Sequence, residues 1–177
     1  QNRTLSLILP AFGAAIIAAL AQIVIPIGAV PITLQTFAVG LVAAILKPRE
    51  ATLAATLYLI LGAIGLPVFA GGGGGLQAFF GPSAGYLLAY PFFALVTSAL
   101  AHAKTPIWKI FLAFVLGDAL VFVGGILSLH FLGKMGWSAA VAVGLTPFIV
   151  PDLLKGLIVA LVTKPVLKAL KNHSYFN

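Results

Sequence analysis

The sequence predicts an all-α membrane protein: a single integral membrane domain over residues 1–177, crossing the bilayer six times with both termini in the cytoplasm. Three observations carry this. The chain is 62% hydrophobic and only 7% charged, with a mean hydropathy of +1.17, whereas a soluble domain carries roughly 25% charged residues. The apolar residues fall into about six segments of the length a spanning helix needs, and the longest polar connector, 101–109, leaves no room for a soluble domain. The bases come in ones and twos between those segments. They form no basic stripe, which argues against nucleic acid as a partner. With the N-terminus inside, every Lys and Arg except Lys134 and Lys155 falls on the cytoplasmic side, as the positive-inside rule expects. The absence of cysteine removes disulfides and thiolate metal sites.

The first span covers 5–24, too long an apolar stretch for a removable signal. Ala11, Ala15 and Ala19 recur on it at four-residue spacing. Small residues so spaced make a smooth face for another helix, either inside this protein or on a separate membrane subunit. Residues 26–31 hold two prolines and a glycine among apolar residues, which favours an extended connector over helix. It is a candidate lid or a buried turn. The second span covers 33–46, with Gln35 and Thr36 at its entrance, where they reach a pocket without deep desolvation. Lys47-Pro48-Arg49-Glu50 is a charged turn, and the third span covers 51–64.

Gly71 to Gly75 is a glycine run without the Gly-Lys-Ser/Thr ending of a phosphate loop. It reads as a pliant extracellular loop that lets backbone approach a ligand, followed by Gln77, Phe79 and Phe80. Gly81-Pro82-Ser83-Ala84-Gly85 matches the G-x-S-x-G nucleophile pattern. No strand precedes it, so Ser83 reads better as the N-cap of the fourth span, 84–100. Tyr86 and Tyr90 share one face of that span.

The fifth span, 107–132, contains Asp118, roughly 14 Å along the helix from Lys109 and so near mid-membrane. A carboxyl there must be protonated, hydrogen-bonded across helices or paired. Residues 138–150 are apolar but too short to span, and form a short helix or re-entrant piece. The sixth span runs over 151–170.

At its mouth stands Pro151-Asp152-Leu153-Leu154-Lys155. Pro151 suits a first helical position, and Asp152 and Lys155, three apart, share a face. The dipole favours an acid at a helix N-terminus and disfavours a lysine, so Lys155 needs another reason. The pair is either a salt bridge that stabilises a helix start or the floor of a small-molecule site.

Four ordered blocks resemble the signatures of the BioY family, the biotin-binding S-components of energy-coupling-factor (ECF) vitamin transporters. They are Val30-Pro31-Ile32-Thr33-Leu34-Gln35-Thr36, the stretch from Leu61-Gly62-Ala63 through Ala70-Gly71-Gly72, Gly81-Pro82-Ser83-Ala84-Gly85-Tyr86, and Pro151 to Lys155. Ser83 and Ala84 stand where many members carry Thr and Gly. The resemblance implies six transmembrane helices and a biotin pocket near the outer surface, covered by the first connector. It implies ligand contacts at Asp152 and Lys155, and a docking face at Ala11, Ala15 and Ala19 for a transmembrane coupling subunit driven by two ABC-type ATPases. Thr33, Gln35, Gln77, Phe79 and Tyr86 complete the candidate ligand set. Biotin is then the cargo of a multi-pass protein of a prokaryotic cell membrane, with no cofactor and no catalysis. Two rival readings make distinct use of the same residues. One is an intramembrane serine hydrolase pairing Ser83 with His102 or His130, and the other a self-sufficient carrier of a small anion using protonation of Asp118.

Overall fold

The structure, a computed structural model, describes residues 3–26, 31–102 and 104–176. Six long helices correspond to the six expected spans: α1 (Arg3–Leu20), α2 (Gln35–Ile45), α3 (Pro48–Ala63), α4 (Ala84–Leu100), α5 (Ile107–Phe131) and α7 (Ile149–Leu170). Between the last two lies the short α6 (Trp137–Gly144). Three segments, Arg3–Leu20, Ile107–Phe131 and Trp137–Leu170, are long and apolar enough to cross a membrane unaided.

Two spans are shorter than the sequence suggests. The first leaves helix at Leu20, because β1 (Val24–Ile25) turns back to pair antiparallel with β2 (Ile32–Thr33). The connector is therefore a small hairpin, and its residues 27–30 lie outside the described set. The second begins only at Gln35, whose backbone N–H donates to Thr33 Oγ1 at 3.0 Å. It ends before Lys47, which is held extended (φ −70°, ψ 160°) ahead of Pro48, as the residue before a proline prefers. At ~1.5 Å per residue α2 covers about half of a 30 Å hydrocarbon core. Pro48 then opens α3, so the charged turn is that helix's first turn.

α4 and α5 make the tightest pair in the bundle. A Cβ on Gly85 would overlap the carbonyl oxygen of Gly124, and one on Gly125 would overlap the Tyr86 ring. Below this contact, Phe93 meets Phe114 edge-on at 5.2 Å, and Thr97 Oγ1 donates to Ala113 O at 2.8 Å. The helices thus lock through close backbone approach, packing and one cross-helix hydrogen bond.

The loop after α3 folds back over the bundle in two short 3-10 turns, Ala70–Gly72 and Leu76–Phe79. Gly75 sits at φ 103°, a conformation open in practice only to glycine. Gly71 N–H bonds Ala21 O, and the Gln22 side chain bonds Phe69 O at 3.1 Å, so the loop is laced to the end of α1.

Pro151 lies third in α7, not first, because the helix already starts at Ile149. A proline in the first turn forfeits no intrahelical bond. The shared face of Asp152 and Lys155 is unaffected.

A buried ion pair beside an apolar cavity

Three chain segments bring the site together. β2 and the start of α2 supply Thr33, Gln35 and Thr36; the glycine loop supplies Phe69, Gly73, Gly74 and Gln77; α7 supplies Asp152 and Lys155. α4 and α5 close the wall with Tyr86, Leu87, Tyr90, Val121 and Phe122, and Phe148 abuts from the turn before α7. The cavity, open on one side, holds about 440 Å³, within the usual range for a small-molecule pocket.

Its polar centre is Lys155, only 8% exposed, beside Asp152 at 5%. The ammonium donates to Asp152 Oδ1 at 3.0 Å, to Thr33 O at 2.7 Å and to Thr36 Oγ1 at 3.0 Å. An ammonium has three donors, so all three are engaged. The pair is therefore more than an intrahelical salt bridge, because Lys155 ties α7 to the joint between β2 and α2. This cross-chain tether explains a lysine where the helix dipole disfavours one.

Gln35 is also committed. Its amide donates to Tyr58 Oη at 2.8 Å and accepts from Tyr90 Oη at 3.2 Å and Thr33 Oγ1 at 3.3 Å. It lines the cavity as the hub of a buried hydroxyl network. Tyr86 likewise lines the cavity with its ring, while its hydroxyl donates to Gly144 O at 2.6 Å and pins the end of α6. Gln77 stands exposed at the glycine loop, folded back onto Gly74 O at 2.9 Å.

Phe79 is not part of the wall. It packs edge-on against Phe69 at 5.8 Å, and Phe69 is the ring that faces the cavity. Phe80 is 72% exposed. Phe69, Phe122 and Phe148 are the lining rings that the sequence does not single out among its 13 phenylalanines.

Ser83 holds the N-cap position of α4 but makes no capping bond through its side chain. It borders the cavity, yet no histidine does so among the described residues. His102 faces Thr105 Oγ1 at 3.0 Å, and His130 contacts Met135 O at 2.7 Å and stacks on Trp137 at 3.7 Å. Among the described residues the hydrolase reading thus lacks the histidine it calls for beside Ser83.

Away from the cavity, Ala11, Ala15 and Ala19 are exposed, while Gly13, Ala14 and Ile17 turn inward. The small-residue face of α1 is not used for packing within the described protein.

The BioY family model matches residues 1–172. The biotin transporter BioY2 of Lactococcus lactis subsp. cremoris is 44% identical over 99% of this chain and 98% of its own length. The biotin transporter BioY of Thermotoga maritima is 39% identical over 80% of this chain and 83% of its own. A crystal structure at 2.1 Å of the S-component for biotin from an ECF-type ABC transporter matches with a TM-score of 0.88. It is 28% identical and covers 99% of this chain and 97% of that one.

Proposed function

The chain belongs to the BioY family, and from that premise we propose that it is the biotin-binding subunit of an ECF-type uptake transporter. The observation that carries the reading is the buried Asp152–Lys155 pair at the polar end of an otherwise apolar cavity.

Biotin's ureido group sets N–H donors beside a carbonyl acceptor. Asp152 accepts from an N–H, and Lys155 donates to the carbonyl oxygen, exchanging one of its present bonds for it. Charge-assisted bonds of this kind are the strong ones. The carboxylate tail is the poorer match, because it would stand beside the Asp152 carboxylate in a low-dielectric pocket. The ureido ring therefore faces α7 and the tail points to the glycine loop and Gln77. Phe69, Tyr86 and Phe122 enclose the sulfur ring. Thr33 and Gln35 act from behind, by holding Lys155 and the tyrosines.

The cavity end faces outward and both termini lie in the cytoplasm. Lys104, Lys164, Lys168 and Lys171 support this, since they gather around a groove at the far end of α7. That groove lies about 24 Å along the helix from Asp152. The exposed face of Ala11, Ala15 and Ala19 docks a transmembrane coupling subunit, and ABC-type ATPases supply the drive. The protein resides in a prokaryotic cell membrane and performs no chemistry on its cargo.

Equilibrium binding of labelled biotin to the detergent-purified chain tests this. Biotin amide should compete within a few-fold of biotin, and diaminobiotin, which lacks the ureido carbonyl, should not. A folded chain that leaves biotin unbound ends the reading. Competition by diaminobiotin but not by the amide would reverse the orientation.

A further inference from the structure

Five of the chain's ten lysines and arginines gather at one end of the bundle, around two adjoining cavities. The first, of about 710 Å³, is the groove at the end of α7, where Lys104, Lys164, Lys168 and Lys171 stand over the apolar Leu167 and Phe176. The second, of about 370 Å³, lies beside the α2–α3 turn and adds Lys47 and His102. Lys104, Leu167 and Phe176 line both, so the two are halves of one basic depression. The chain's three acids, Glu50, Asp118 and Asp152, line neither half. Glu50, which bonds Tyr175 in the wall of the second, has its other oxygen on Arg49. Lys104, Lys168 and Lys171 are exposed and make no ion pair among the described residues.

Helix electrostatics accounts for only part of this cluster. The negative end of α7 favours Lys168 and Lys171. It does not explain Lys104 and Lys164. Lys164 Nζ donates to Thr105 O at 2.9 Å, directly before Pro106, the N-cap of the 25-residue α5. Cations gathered there meet the positive end of a helix, and Lys164 and Lys168 stand four apart as like charges; both arrangements are unfavourable. An anion seated among them offsets both.

The depression lies at the bilayer rim. Leu161 and Val162, less than a turn before Lys164, are 51% and 37% exposed. Trp108, in the first turn of α5, is 60% exposed, with Lys109 Nζ 5.5 Å from its ring centre. Tryptophan settles at the depth of lipid headgroups. Lys164, Lys168 and Lys171 share one helix face and extend over about 10 Å, more than a single phosphate fills.

We propose that this basic depression binds the headgroup of an anionic phospholipid, and best one with two phosphates bridged by a glycerol, as in cardiolipin. The lysines donate to the phosphate oxygens, Leu167 and Phe176 meet the glycerol backbone, and the acyl chains follow the exposed Leu161 and Val162. Basic pockets between membrane helices suit such headgroups. The site stands at the opposite end of α7 from Asp152 and does not depend on what fills that cavity.

Native mass spectrometry of the full-length, detergent-purified chain tests this, with titrations of cardiolipin, phosphatidylglycerol, phosphatidylcholine and inorganic pyrophosphate. Among the lipids, occupancy should fall in that order. The triple variant Lys104→Gln, Lys168→Gln, Lys171→Gln alters only exposed side chains. It should weaken cardiolipin binding by about fivefold per lysine, or about a hundredfold in all. Lys134→Gln, which removes a charge beyond the other end of α5, should leave it unchanged. Cardiolipin should raise the unfolding temperature of the parent and not of the triple variant. Equal binding of cardiolipin and phosphatidylcholine, or full binding by the triple variant, would overturn the proposal. Pyrophosphate bound as tightly as cardiolipin would also overturn it, by assigning the depression to a free phosphate compound. So would a triple variant that keeps cardiolipin but loses co-purification with the coupling subunit, which would assign the surface to a protein partner. If the triple variant does not fold, Lys168→Gln with Lys171→Gln carries the comparison, with a loss of about 25-fold expected.

Discussion

Two buried acids mark opposite ends of α2. Asp152 stands by its first residues, and Glu50 stands just past its last, in the opening turn of α3. Both are about 5% exposed, and each is paired with a base close in sequence, Lys155 or Arg49. Their remaining partners differ. Both oxygens of Glu50 are taken, Oε2 by Arg49 Nη1 at 2.7 Å and Oε1 by Tyr175 Oη at 2.7 Å. Tyr175 Oη in turn accepts from the backbone N–H of Lys47 at 2.9 Å. That cluster clamps the residues after α7 onto the α2–α3 turn. Asp152 instead borders a 440 Å³ cavity with acceptor capacity to spare. Burial of charge in an apolar chain is therefore not itself a sign of function. The sign is a buried charge with unfilled bonding capacity facing open volume.

The comparison breaks if the two ends respond alike to mutation. The largest effect is expected at Lys155. Lys155→Ala strands the Asp152 carboxylate and releases α7 from Thr33 and Thr36, and breaking a buried pair in this way costs about 3–5 kcal/mol. Biotin binding by equilibrium dialysis should fall by at least about a hundredfold. Asp152→Asn keeps the shape and loses the charge, and should fall almost as far.

Tyr175→Phe sharpens the contrast from the other end. It removes the hydrogen bond donated to the Glu50 carboxylate and the one accepted from the Lys47 N–H, and should lower stability by about 1.5–3 kcal/mol, read from thermal unfolding in detergent, with biotin affinity unchanged. Burial, and after it the bond to Glu50, push the Tyr175 phenol above its ordinary value. A raised folded value means the protonated phenol contributes in full below the unfolded value near pH 10 and is lost as pH rises beyond it. The stability gap between the parent and Tyr175→Phe should hold steady up to about pH 10 and narrow above it.

The same contrast explains what the sequence discloses. Span boundaries at α4 and α5 are legible because Pro82, Pro106 and Gly133 punctuate long apolar runs. The end of α1 and the short α2 are not, since both are set by a hairpin pairing that composition does not encode. Asp152 and Lys155 are conspicuous as rare charges, but the partners that explain Lys155, Thr33 and Thr36, lie 122 and 119 residues away. Aromatic rings give no contrast at all. In a chain with 13 phenylalanines, nothing local distinguishes Phe69, which faces the cavity, from Phe79, which packs behind it.

The smallest effect on binding is expected at α1, and it separates binding from transport. Ala15 points away from the bundle and away from the cavity, so Ala15→Trp removes no bond to either cluster. Affinity and unfolding temperature should both stay near the parent's. A docking helix that relies on close approach over Ala11, Ala15 and Ala19 would be held off by the indole, because such contacts draw their strength from packing at short range. Co-purification with the coupling subunit, and biotin uptake by cells expressing the whole transporter, should drop together. Uptake at the parent's rate with Ala15→Trp would place the docking face elsewhere, while leaving the cavity and its ion pair untouched.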